Sequence, residues 1–222
     1  ILALTLVSLT FKAQQVKYYL TNSGGQPWGS ISNVTAMNQA FGPGNWIQGF
    51  FQTVNVNALL QPSVCLIYCD GGSMAATSMN AFLVANIAAI QVWVFNGGRV
   101  FLNAGPNAGA NMNYGFGGTT LNYGLWPIGP YSSPGAAVNN AHPIYVGPLP
   151  ITTFTHSDNF YCHGYITGVG LTPIICNTTT PWTTSQPQPP LSSKVILASK
   201  PWGSGMCLFG SMTNTSFHSP QP

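Results

Sequence analysis

Residues 70–105, DGGSMAATSMNAFLVANIAAIQVWVFNGGRVFLNAG, leave this chain few ways to fold. The runs on either side of the central segment, 64–68 (VCLIY) and 99–102 (RVFL), are nearly continuous in apolar residues, as strands covered on both faces must be. Between them Met79, Phe82, Leu83, Ile87, Ile90 and Val94 recur three or four apart, which puts them on one helical stripe. Asn96 and Gly97 or Gly98 then supply the left-handed position on which helices end. This is a strand, crossover helix and strand. Such a unit carries its functional loops at the carboxyl ends of the strands, here residues 69–73 and 103–107.

The rest of the chain extends the pattern. Residues 16–21 (VKYYLT) read as a first strand, with Asn22-Ser23-Gly24-Gly25 as its exit turn. Ser32 or Asn33 caps a short helix through Met37 and Phe41, stopped by Gly42-Pro43-Gly44. Residues 46–54 (WIQGFFQTV) read as a strand and 58–62 as a link. Residues 194–199 (KVILAS) and 206–209 (MCLF) form the last two strands, joined by a glycine-bearing hairpin. The alternation predicts an α/β, flavodoxin-like, doubly wound and mostly parallel sheet. Residues 104–140 form a long Gly/Asn/aromatic insertion within it, with Tyr114, Phe116, Tyr123, Trp126 and Tyr131. Those aromatics either stack on sugar rings or anchor the loop to the domain. Residues 181–190 (PWTTSQPQPP) read as an extended surface excursion.

Only 3% of residues are charged, five basic and two acidic. Scattered lysines and arginines exclude nucleic-acid binding, and 45% hydrophobic residues exclude disorder. A surface so neutral favours self-association and uncharged partners.

Residues 1–11 (ILALTLVSLTF), followed by Lys12-Ala13-Gln14, read as a truncated signal peptide over 1–14. The alternative is a core strand or one donated to a neighbouring copy, since Leu and β-branched residues alternate with Ser and Thr. The run is too short for a membrane span. With the leader removed, the protein is secreted, extracellular or on the cell surface, as a single domain over 15–222. The absence of a closing helix suggests truncation at the C-terminus as well. Cys65 and Cys69 lie about 13 Å apart on one strand, too far to pair. Cys162 with Cys176 is the better pair, and plain buried thiols at all five positions, Cys207 included, are the equal alternative.

The order of a strand, a long helix, GGRVFLNAG, HPI at 142–144, and VILASKPWGSG leading to a GSMT turn resembles the class I glutamine amidotransferase-like superfamily. Within it the layout is most similar to the ThuA-like branch and related exported bacterial proteins. The resemblance covers about residues 16–218 through short, glycine-driven motifs. It implies a nucleophilic cysteine in the turn after 99–102, where this chain has Asn103-Ala104-Gly105-Pro106-Asn107. That turn has no thiol or hydroxyl, and Pro106 has no N–H for an oxyanion hole, so glutaminase chemistry is disfavoured.

Other nucleophiles and bases are sparse. Ser73 follows Asp70-Gly71-Gly72 and reads as either a reactive hydroxyl or the N-cap of the long helix. Cys162 and His163, adjacent on a strand, point to opposite faces. His156, Asp158, His163 and His218 are the candidate catalytic cluster, set against the plainer reading of separate, hydrogen-bonded histidines; their spacing matches no metal site. Asp70, Ser73, Asn103, Asn107, Tyr114, Tyr123 and Trp126 are the candidate ligand-binding residues. No cofactor is implied. Three functions fit: a module that has no glutaminase nucleophile and binds a neutral glycan or small molecule; a ThuA-like hydrolase or isomerase acting on a sugar with His163, His218 and Asp158; and a structural subunit of a surface layer or filament. The first is the reading taken forward, and whether the chain is an enzyme stays open.

Overall fold

A computed structural model describes residues 15–105, 111–124, 135–148, 154–156, 161–178 and 191–213. The expected leader, residues 1–14, lies outside them, as does the proline-rich stretch 181–190. The strand, crossover helix and strand are present as read, while the strand expected over 46–54 is shorter and a short helix precedes the expected link: β1 (Val16–Thr21), α1 (Ser32–Phe41), β2 (Ile47–Phe50), α2 (Val56–Leu59), β3 (Val64–Asp70), α3 (Ala75–Phe95) and β4 (Arg99–Asn103). There follow β5 (Met112–Gly115), β6 (Thr119–Tyr123), β7 (Gly135–Ala137), α4 (Pro143–Val146) and β8 (Thr155–His156). The last strands are β9 (Gly164–Thr167), β10 (Thr172–Thr178), β11 (Leu191–Trp202) and β12 (Gly205–Gly210).

All twelve strands join one sheet, in the order β2-β1-β3-β4-β12-β11-β10-β7-β8, with β5, β6 and β9 branching from β11. The contacts β2/β1, β1/β3, β3/β4 and β4/β12 are parallel. Every other pairing among the described residues is antiparallel. This corrects the expected flavodoxin-like, mostly parallel sheet: the sheet is mixed. The reason lies in the connections. A parallel pair needs a crossover of a dozen or more residues, whereas an antiparallel pair needs only a tight turn. After α3 no helix of crossover length occurs among the described residues, α4 being four residues long. β11 instead turns into β12 at Gly203 (φ 59°) and Ser204, so the two strands must run in opposite directions.

Two clusters hold the sheet. In the first, Met79, Leu83, Ile90 and Val94 of α3 pack on Ile67 and Cys69 of β3, Val100 and Leu102 of β4, and Cys207 and Phe209 of β12. Tyr114, Phe116 and Leu121 of the β5–β6 hairpin extend this cluster, so part of the expected insertion is core. The second gathers Tyr145, Tyr161, Ile174, Ile196 and Leu197 at the antiparallel end. α3 stops as its sequence indicates. Gly97 takes a positive φ of 112°, and a Cβ on Gly98 would come within 2.5 Å of the Trp93 ring. The five cysteines form no disulfide. The Cys162–Cys176 pairing is therefore not made, and all but Cys65 are buried.

Candidate functional site at the strand ends

β3 and β4 end side by side, with Asp70 in register with Asn103. Their exit turns are laced together: Gly71 N–H donates to Asn103 O and Ser73 N–H to Gly105 O, each at 2.9 Å. The Asn103 amide is held at both ends, its Nδ2 donating to Met212 O (2.9 Å) and its Oδ1 accepting from Met212 N–H (3.0 Å). Asn103 therefore ties the end of β4 to the segment after β12.

Asp70 is 1% exposed and serves as the hub of this end. Its Oδ1 accepts from Gly72 N–H (2.7 Å) and its Oδ2 from Asn33 Nδ2 (2.8 Å), the Tyr68 hydroxyl (3.0 Å) and Asn103 Nδ2 (3.2 Å). Asn33 Nδ2 also donates to the Tyr19 hydroxyl, which donates to Gln26 Oε1. Burial pushes the Asp70 carboxyl above its ordinary range, although the donors from Asn33, Gly72, Asn103 and Tyr68 oppose the shift. Burial, and then the Asp70 charge, raise the neighbouring Cys69 thiol, which is the opposite of nucleophile activation. Asp70 and Asn103, expected to meet a ligand, are instead committed to internal hydrogen bonds.

Ser73 stands apart. It is a non-glycine residue at φ 53° and does not cap α3, whose N-cap is Met74 with no side-chain hydrogen bond. The N-cap reading is thereby corrected. Neither the Ser73 hydroxyl nor the Met74 N–H has a hydrogen-bond partner among the described residues. Beside it lies Trp28, also at positive φ (55°), in a short turn of 3₁₀ helix (Pro27–Gly29). The Trp28 indole covers Gly72, and its buried Nε1 has no partner among the described residues. Its ring meets His163 edge-on at 4.8 Å. His163 N–H donates to Ser211 O, which fixes it to the same end of the sheet.

The candidate catalytic cluster is only partly brought together. His163 is at the strand ends. His156 is buried and stacked on Tyr161 (5.1 Å, 4°), with no partner for either ring nitrogen among the described residues, and burial lowers it to about 4. Asp158 and His218 lie outside the described residues, as do Asn107 and Trp126. Tyr114 is corrected from ligand contact to core: it is fully buried, its ring stacks on Phe209 and its hydroxyl donates to Gly210 O. Tyr123 is half-buried on β6, its N–H donating to Asn111 Oδ1. His142 caps α4, its Nδ1 accepting from Ile144 N–H. Trp28 went unread in the sequence. Its one signal was a tryptophan set between Pro27 and Gly29 in the first strand's exit loop.

No family model matches the sequence, and no curated protein matches it. Solved structures do resemble it. A β-galactosidase from Bacillus circulans sp. alkalophilus superposes at a TM-score of 0.53 and 8% identity, covering 92% of this chain and 29% of its own. A cytoplasmic protein of Salmonella typhimurium gives 0.49 at 10% identity, covering 91% and 89%. A putative ThuA-like protein from Bacteroides uniformis gives 0.47 at 12% identity, covering 91% and 84%. The chain thus spans under a third of the galactosidase, and the likeness at such identities is one of fold.

Proposed function

We propose that this chain is a ligand-binding module without a glutaminase centre, which takes a neutral, hydroxyl-rich ligand such as a glycan at the ends of β3 and β4. The observation that carries the reading is Ser73. Its backbone is held in a region that costs a non-glycine residue on the order of 1 kcal/mol or more, and such strain persists where function uses it. The turn offers an unpartnered hydroxyl and the Met74 N–H beside an indole, all uncharged, which suits a sugar better than an ion. The β-galactosidase that shares the fold adds to the choice of sugars, and β-galactosides head the panel to test.

Titration calorimetry against neutral oligosaccharides should give saturable heat with the native chain. Trp28→Ala and Ser73→Ala should each weaken it at least tenfold, and glutamine should release no ammonia. An absence of heat across the panel would overturn the reading.

Sugar hydrolysis or isomerisation is the second reading, and it draws on the same Ser73, presented in Gly71-Gly72-Ser73-Met74-Ala75 on a strand-to-helix turn. His163 is the described histidine at that end. This reading requires turnover that disappears in Ser73→Ala and His163→Ala and survives in His142→Ala.

A further inference from the structure

α3 carries no charged residue, and the face it turns away from the sheet is bare. Met74, its N-cap, is 82% exposed, Val84 74%, Val92 62% and Phe95 58%, with Ala81, Ala85 and Ala88 exposed between them. A helix apolar on all sides is ordinarily covered. The β5–β6 hairpin flanks α3 at Ile87 and Gln91 and leaves this strip open.

The order of residues along the strip says what fits it. Ala81, Ala85, Ala88, Val92 and Phe95 lie alternately four and three apart, and Met74 stands one such repeat before Ala81; this is the spacing with which one helix packs along another. The large side chains are at the two ends. The alanines are in the middle, where they let two helix axes approach to about 8 Å. An antiparallel copy across a two-fold axis near Ala85 therefore sets alanine on alanine, and Met74 against the partner's Phe95. The strip is complementary to itself. At the carboxyl end of α3 it adjoins a groove of about 500 Å³, walled in part by Leu60, Pro62, Val92 and Trp93. The same axis brings the bare Met74 of one copy to the groove of the other.

Charge and area select a second copy as the occupant. None of the described charged residues, Lys17, Asp70, Arg99, Lys194 and Lys200, lies on α3 or lines the groove, so two copies meet without repulsion and a charged partner finds nothing to pair with. A helix of 21 residues offers a strip about 32 Å long and about 10 Å wide. Together with the groove, two such faces remove roughly 1,000 Å² from water, the least that a specific interface buries.

We infer that α3 is the contact of a reversible two-fold dimer of this chain, in which the two helices lie antiparallel and each Met74 enters the other copy's groove. The inference does not rest on the sugar reading.

Sedimentation equilibrium of the full chain should show monomer and dimer in exchange between about 1 and 200 µM, the range of an interface this small. Ala85→Glu, at an exposed position, should keep the native thermal melt and weaken the dimer at least tenfold, because it sets two carboxylates together on the axis. Under mild oxidation Ala85→Cys should give an interchain disulfide joining position 85 to position 85, found by peptide mass spectrometry. Asn80→Cys, exposed on α3 but off the strip, should not cross-link. A monomer at every concentration, a dimer that Ala85→Glu leaves intact, or equal cross-linking of the two cysteine variants would overturn the inference. So would a monomer that sediments with phosphatidylcholine vesicles, since that result assigns the face to a lipid surface.

Discussion

The indole of Trp28 occupies the space a side chain at position 72 would need: a Cβ on Gly72 would sit 2.8 Å from Cδ1 and 2.9 Å from Nε1. Gly72→Ala should therefore displace the tryptophan or the turn, at a cost of about 1–3 kcal/mol. Thermal melting and tryptophan emission both report it. An unshifted spectrum together with an unchanged melt would contradict the packing described.

Removing the Asp70 carboxylate takes an acceptor away from four donors in a dry site and leaves the Gly72 N–H with none among the described residues. Asp70→Ala should cost about 3 kcal/mol or more in urea unfolding, since each buried polar group left unsatisfied costs about 1–3 kcal/mol. Asp70→Asn keeps the volume but presents an amide N–H to neighbours that themselves donate. It should fall between the two.

Ser73→Gly separates folding from function. Glycine adopts the positive φ without strain, so the folded state should gain about 1 kcal/mol, partly offset by the freer unfolded chain. Sugar binding should fall with the lost hydroxyl. A variant no more stable than the native chain would mean that the turn stores no strain.

His156 makes stability depend on pH. Burial lowers it from 6.5 to about 4, so between those values the unfolded chain binds the extra proton. Its contribution is complete above about pH 6.5 and is lost as the pH falls toward 4, in total on the order of 3 kcal/mol. Asp70 acts in the opposite sense, because a raised carboxyl contributes stability at low pH that is lost as the pH rises through its folded value. His156→Phe isolates the histidine term: urea midpoints measured from pH 7 to 4.5 should flatten in the variant relative to the native chain.

The helical stripe from Met79 to Val94, the double-glycine stop and the final hairpin were legible because each is a local pattern. The direction of the second half of the sheet was not. Residues 112–123 read as part of the insertion and 164–178 carried no strand reading, because neither has a period to say which neighbour it joins, and strand pairing is a long-range choice. Tyr114 misled for a related reason, since an aromatic among asparagines and glycines looks the same whether it faces solvent or Phe209. The empty elbow at Asn103-Ala104-Gly105 was readable from residue type alone. The role of Asn103 as a tie to Met212, 109 residues away, was not. Trp28 and Ser73 are marked by their backbone angles, which no composition or period encodes.

β12 is the seam of the sheet, with β4 on one side and β11 on the other. Because β12 follows β4 only after β5 to β11, a ribosome-bound chain carries β4 as an open edge for the whole time that the intervening residues emerge. An unpaired apolar strand is a template for the same strand of a neighbouring nascent chain. Synthesis rate and chaperone occupancy, more than the stability of the finished molecule, would then decide how much of this protein a cell recovers in soluble form.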